Sequence, residues 1–364
     1  MNHVNHTNTH GVVRFITCGS VDDGKSTLIG RLLYDTKAVL TDQIQALSKT
    51  KHARVTASDA AIDLALLTDG LEAEREQGIT IDVAYRYFAT AKRKFIVADA
   101  PGHEQYTRNM VTGASQADVA ILLVDATRID TKLDKINLLA QTKRHAALVK
   151  MLGLKHIAVA VNKIDLLDFD QTVFQRIQEE ILNLAKTLNL PTPQVFPVSA
   201  LLGDNIVFKS QNFHWYDGPT LLEWLENLDI DSQRSGSSLR FPVQYVARQD
   251  GSAASDFRGY LGRVEGGEIH QGQVVTILPS GSSATVSEIY ISNGANSFAQ
   301  NQSVALAKAG DVIALTFTED VDVSRGDMIV SGDDTAALLS KQLIADLCWL
   351  DSEPLSSSRK YILR

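Results

Sequence analysis

Up to residue 230 the chain alternates short apolar runs with stretches whose apolar residues recur at helical spacing. Val12, Val13, Phe15 and Ile16 form the first run, and Leu28, Ile29, Leu32 and Leu33 then repeat at the intervals of one helix face. The runs Val83 to Phe88, Phe95 to Ala98, Ile157 to Val161 and Val195 to Val198 predict further strands. Amphipathic periodicity predicts helices over 131–152, 171–189 and 219–228. A helix-like stretch from Ala57 to Leu71, with Ile62, Leu66 and Leu67 apolar, is assigned to packing or rearrangement rather than chemistry. Strands alternating with helices predict a parallel sheet covered on both faces.

Beyond residue 230 the pattern changes. Residues 231–238 read as a linker rich in Ser and polar groups, and residues 1–11 as a disordered polar tail that includes His3, His6 and His10. Glycine-separated runs at Phe241 to Val246, Gly259 to Val264, Gln273 to Leu278 and Val312 to Phe317 predict an all-β barrel. The stretch from Gln342 to Arg364 reads as the opening strands of another β domain. The expected architecture is an α/β domain at 12–230, doubly wound on a mainly parallel sheet, then a β-barrel domain at 239–332 and a partial second β domain at 340–364. Gly203 to Gly218 carries Phe208, Phe213, Trp215 and Tyr216 without clean periodicity. It reads either as an excursion toward another domain or partner, or as a loop pinned to its own domain by aromatics.

Candidate chemistry lies in the loops after the strands. Gly19-Ser20-Val21-Asp22-Asp23-Gly24-Lys25-Ser26-Thr27 matches the phosphate-binding loop pattern, between a strand and a helix as that motif requires. Gly19 and Gly24 let successive N–H groups point inward at a phosphate, and the helix N-terminus adds partial positive charge. Lys25 is placed to bridge the outer phosphates and Ser26 to ligate Mg²⁺. Asp99-Ala100-Pro101-Gly102-His103 follows the Phe95 run, so Asp99 falls at a strand's carboxyl end and can hold Mg²⁺. The Gly102 N–H is then a sensor of the γ-phosphate, and His103 is placed to position the attacking water.

Asn162-Lys163-Ile164-Asp165 carries the choice of base, because a carboxylate at Asp165 accepts both N1–H and the 2-amino group of guanine. Asn162 ties that loop to the phosphate segment, and Lys163 lies along the base plane. Ser199-Ala200-Leu201 brings a main-chain N–H toward guanine O6, and Thr80 completes the Mg²⁺ shell when the γ-phosphate is present. The order and spacing of these segments predict a P-loop site for GTP with Mg²⁺, with Lys25, Thr80, Gly102 and His103 as its catalytic set.

The residues resemble those of translational-type GTPases, and more closely those of the GTPase subunit of bacterial ATP sulfurylases. Translation elongation factors of this superfamily usually carry histidine where this chain has Ser20 and Asp23. The form Gly19 to Thr27, the segment Glu76 to Phe88 and the run Asp256 to Val264 all resemble the sulfurylase subunit, over nearly the whole chain. The resemblance implies a heterodimer, or a higher assembly of it, in which this chain hydrolyses GTP. A separate small catalytic subunit would make adenosine 5′-phosphosulfate and pyrophosphate from ATP and sulfate. It also implies a complete third domain, of which this chain carries the opening part. A fused adenylylsulfate kinase, seen in some relatives, would lie beyond Arg364. A translation factor delivering aminoacyl-tRNA would share every nucleotide-binding residue named, and an interaction module controlled by nucleotide is a third class. Ser20, Asp23 and the segment 78–88 separate the first reading from the second.

Composition narrows this further. At 364 residues the chain has room for two or three domains, and 44% hydrophobic with 21% charged residues is ordinary for a globular protein. A formal charge of −8 argues against nonspecific nucleic-acid or membrane binding. Lys92-Arg93-Lys94 reads as a turn between strands, and no run is long enough for a membrane span or a signal core. A cytosolic protein is expected, with Cys18 and Cys348 as reduced thiols in apolar surroundings.

Overall fold

The computed structural model describes residues 10–39, 64–67, 80, 82–130, 133, 136–230, 238–249, 257–291, 303–344, 347, 349 and 353–361. Its contacts divide the chain into two units, residues 1–228 with 346–364, and residues 229–345.

The first unit is built on a six-stranded sheet in the order β2-β3-β1-β4-β5-β6. These strands are β1 (His10–Cys18), β2 (Ala84–Ala89), β3 (Arg93–Asp99), β4 (Val119–Asp125), β5 (His156–Asn162) and β6 (Gln194–Pro197). All neighbours run parallel except β2, which pairs antiparallel with β3 at one edge. Every residue of β4 is buried, as a continuous apolar run covered on both faces requires. The helices are α1 (Lys25–Asp35), α2 (Thr107–Ala114), α3 (Ala140–Met151), α4 (Gln171–Thr187) and α5 (Leu221–Asn227). From β1 the chain builds the sheet first toward β3 and then, on the other side, toward β4, β5 and β6. That reversal at β1 is the switch point where doubly wound sheets bind ligands, beyond the strands' carboxyl ends. Registers such as Thr17 with Asp99 and Asp125 with Asn162 align those ends, so all four motif loops leave from one rim.

Several expectations are corrected. The first strand begins at His10, inside the stretch assigned to a tail; residues 1–9 lie outside the described residues. The helix expected from 131 begins at Ala140, because Ile136 and Leu138 are buried around an exposed Asn137, the period-two pattern of an extended strap. Of the stretch from Ala57 to Leu71, residues 64–67 are described as a single 3₁₀ turn, and it does pack. A Cβ on Gly30 of α1 would lie 2.1 Å from the Leu64 carbonyl oxygen, so only glycine admits that approach. Lys92-Arg93-Lys94 does fall at the β2–β3 turn, yet Arg93 is buried and donates to the Leu225 and Leu228 carbonyls at the end of α5. The aromatic stretch is pinned to its own unit. Phe213 is 2% exposed, Trp215 Nε1 donates to the Phe169 carbonyl, and only Phe208 remains on the surface.

The second unit is antiparallel. Its seven-stranded sheet runs β7-β15-β11-β12-β14-β9-β8, beside a separate pair β10-β13. These strands are β7 (Phe241–Pro242), β8 (Tyr245–Gln249), β9 (Phe257–Arg263), β10 (Glu268–His270), β11 (Val274–Leu278), β12 (Ser282–Ile291), β13 (Leu306–Lys308), β14 (Val312–Phe317) and β15 (Met328–Ser331). A Cβ on Gly262 would meet the Pro242 carbonyl at 2.3 Å, so the bare glycine lets β7 cross close over β9 and the sheet curl back on itself. Phe241, Val275, Ile277, Ile289, Leu315 and Ile329 fill the interior. The expected opening strands of a further β domain are absent among the described residues of 340–361, where Leu343 and Ile344 are exposed. Residues 231–237 of the expected linker, and Cys348, lie outside the described residues.

Candidate functional site

The phosphate loop joins β1 to α1. Gly24 takes a left-handed φ of 93°, and a Cβ there would fall 2.4 Å from Asn162 Nδ2, so glycine is required on both counts. Lys25 Nζ donates to the carbonyls of Gly19 at 3.1 Å and Ser20 at 2.7 Å, which folds the loop around its own ammonium group. Burial pulls the Lys25 pKa down, while Asp99 and Asp23 pull it back up. Asp23 Oδ2 accepts the Ser20 N–H at 2.5 Å, and burial raises the Asp23 pKa against the opposing charge of Lys25. Val21 and Asp22 form the outer bend, with Asp22 at φ 68°, and Thr27 lies half-buried in the first turn of α1.

Ser26 Oγ donates to Asp99 Oδ2 at 3.1 Å, with Thr17 Oγ1 at 3.4 Å from the other carboxylate oxygen. A hydroxyl beside a carboxylate, both oxygen donors, is a set that suits Mg²⁺, which takes few protein ligands and completes its shell with water and phosphate. Ala100, Pro101 and Gly102 are buried behind them. A Cβ on Gly102 would lie 2.4 Å from Lys25 Nζ and 2.8 Å from the Ser20 carbonyl carbon. His103 is exposed, its Nδ1 accepting the Gln105 N–H at 3.3 Å. Thr80 is described and half-buried, whereas residues 76–79 and 81 of its segment lie outside the described residues.

The base-selecting segments meet the phosphate loop through Asn162, which is buried at the end of β5. Its Nδ2 donates to the Asp23 carbonyl at 2.8 Å, and its Oδ1 accepts the Ala200 N–H at 2.9 Å. The N–H expected at guanine O6 is therefore engaged by Asn162, while that of Ser199 goes to the Asp204 carbonyl. Both ends of a buried carboxamide need partners, which is why Asn162 recruits it. Lys163 adopts a left-handed φ of 64° and pairs with Asp125 Oδ2 at 2.7 Å. Asp165 follows, half-buried in the 3₁₀ turn Ile164–Leu167. Arg31 of α1 donates to the carbonyls of Ala200 and Leu201 and so holds that loop against the helix.

Three further residues belong to the site. Asp125 ends β4 and anchors Lys163; its place at a strand's carboxyl end after an apolar run was a usable signal. Arg128 donates to the Val21 carbonyl at 2.9 Å and lies 3.7 Å from Asp23 Oδ1, although it is 107 positions from Val21. Gln141 Nε2 reaches the Gly102 carbonyl at 3.3 Å and His145 Nε2 at 2.9 Å. Neither residue has a sequence signature, since only the fold brings them to the loops.

Comparison with known proteins agrees with this geometry. Residues 10–231 match the family model of the elongation factor Tu GTP binding domain. Sulfate adenylyltransferase subunit 1 of Laribacter hongkongensis is 47% identical over 97% of this chain and 69% of its own length. The protein of the same name from Alteromonas mediterranea is 49% identical over 97% of this chain and 70% of its own. The GTP-bound GTPase-like domain of Saccharomyces cerevisiae Ski7 shares the fold, with a TM-score of 0.53 at 21% identity over 91% of this chain and 77% of that one. The chain is therefore a member of the sulfate adenylyltransferase subunit 1 family, with its nucleotide site on an elongation factor Tu-type GTP-binding domain.

Proposed function

We propose that this chain is the GTP-hydrolysing regulatory subunit of a sulfate adenylyltransferase, driving formation of adenosine 5′-phosphosulfate and pyrophosphate from ATP and sulfate on a separate small catalytic subunit. The observation that carries the reading is the Asn162 bridge, which joins base-selecting and phosphate-binding loops into one site at the sheet's switch point. Within it Asp165 accepts the two guanine donors, and the guanine O6 competes with Asn162 for the Ala200 N–H. Lys25, turned inward on its own loop, transfers its hydrogen bonds to phosphate oxygens when they enter.

Ser26 and Asp99 would hold Mg²⁺, with Thr80 added when the γ-phosphate is present, and the metal supplies charge neutralisation at the phosphate oxygens. Gly102 senses the γ-phosphate through its N–H, and His103, exposed at the rim, orients the attacking water. Making a phosphate–sulfate anhydride is strongly uphill, so the state set at Gly102 has to act on the partner. Among the described residues no helix is long and apolar enough to cross a membrane, and a cytosolic heterodimer is the assembly this reading takes. The test is GTP turnover by the chain with and without the small subunit, ATP and sulfate. Turnover linked to adenosine phosphosulfate formation supports the proposal; full-speed turnover of the chain alone, indifferent to the partner's substrates, contradicts it.

A further inference from the structure

Immediately after Asp165 the chain makes a turn that costs energy. Asp168 and Phe169 adopt left-handed φ values of 53° and 55° in succession, and Lys163, before the 3₁₀ turn, adopts 64°. The segment carrying Asp165 is thus entered and left through left-handed backbone. Aspartate tolerates that region, but a phenylalanine there brings its Cβ against the following carbonyl oxygen, which costs energy. Such backbone persists where surrounding groups over-determine it.

Those groups come from the aromatic stretch some forty positions downstream. Trp215 Nε1 donates to the Phe169 carbonyl at 2.9 Å. The Phe213 ring meets Phe169 edge-on at 5.1 Å and Trp215 at 5.4 Å, and Trp215 rests on Phe174 of α4 at 5.2 Å. From within the turn, the Phe169 N–H bonds the Ile164 carbonyl and the Asp170 N–H the Leu167 carbonyl, both at 3.1 Å. Pulling on Phe169 therefore pulls on both ends of the turn that bears Asp165.

We propose that Trp215 and Phe213 are positioning residues for guanine selection: they clamp Phe169 in its left-handed conformation and so fix the Asp165 carboxylate where the base arrives. The proposal rests on the reading of Asp165 as the guanine acceptor. A clamp that only fills the core would stabilise the unit without touching base preference, and that difference is measurable.

The measurement is the affinity of the full chain for GDP and for inosine diphosphate, which lacks the 2-amino group, in the wild type, Trp215→Phe and Phe213→Leu. Loss of this partly buried hydrogen bond predicts a fall in GDP affinity of about tenfold, with inosine diphosphate weakened less and the ratio between them compressed. Hydrogen exchange at the Phe169 amide should quicken in Trp215→Phe. An unchanged GDP to inosine diphosphate ratio in folded Trp215→Phe overturns the proposal, and because that variant keeps an aromatic ring in the core it decides the matter if Phe213→Leu does not fold. Asp165→Asn is the control for the underlying reading. If it leaves base preference untouched, the acceptor assignment itself fails, whatever Trp215 does.

Discussion

The side-chain nitrogen of Asn162 donates to the main-chain carbonyl of Asp23 across 2.8 Å, joining residues 139 positions apart. Its oxygen takes the Ala200 N–H, so one carboxamide ties three loops. Asn162→Ala leaves the buried Asp23 carbonyl without its partner and the Ala200 N–H unpaired until guanine O6 takes it, a loss of about 1–3 kcal/mol. GDP and GTP affinity should fall together by about ten- to hundredfold, read by titration with a fluorescent nucleotide. A loss confined to GTP would place Asn162 in the γ-phosphate response instead.

Gly102 and His103 are adjacent but should fail differently. In Gly102→Ala the new Cβ presses on the Ser20 carbonyl carbon and Gly19 oxygen, backbone atoms that cannot swing away. GTP affinity should fall more than GDP affinity. His103→Ala removes only an exposed ring, so binding should stay near normal while single-turnover hydrolysis slows by about a hundredfold or more. Equal binding defects in the two variants would make His103 structural.

His145 is buried in α3, and its pKa is pushed down to about 4 by that burial first, then by the positive charges of Lys25 and Arg144. The unfolded chain binds a proton at this site below its ordinary value of 6.5 that the folded chain refuses. Stability is therefore fully present above pH 6.5 and is lost as pH falls toward 4, by up to about 3 kcal/mol. Denaturant midpoints measured across that range should show a flatter acid limb in His145→Gln. Parallel limbs would show that other groups set the acid sensitivity.

Thr142, also in α3, buries a hydroxyl that finds no hydrogen-bond partner among the described residues, at a small cavity it lines with Leu122, Ala146 and Ile181. Thr142→Val keeps the shape and removes the orphan, so stability should rise by about 1 kcal/mol with nucleotide affinity unchanged. A lower melting temperature would mean that the hydroxyl has a partner after all.

How much of this was readable beforehand follows from distance along the chain. The runs before each loop are short, apolar and bounded, so β1, β3, β5 and β6 and the loops after them could be read locally. The start of α3 could not, because Ile136, Leu139 and Ala140 fit a helical spacing and only the burial of Ile136 and Leu138 around an exposed Asn137 reveals an extended strap. Asp125, Arg128 and Gln141 act through partners brought close by the sheet order rather than by spacing. The clamp on Phe169 joins a turn and an aromatic stretch whose separate patterns give no hint of each other.

On the proposed function, guanine recognition at Asp165 gates synthesis on the partner. Adenosine phosphosulfate formation should therefore be followed with the small subunit, ATP and sulfate present, adding GTP or xanthosine triphosphate to the wild type and to Asp165→Asn. GTP should stimulate the wild type, and the variant should lose most of that response while gaining one to xanthosine triphosphate. Product formation equally stimulated by GTP in both proteins, or indifferent to either nucleotide, would contradict that gating.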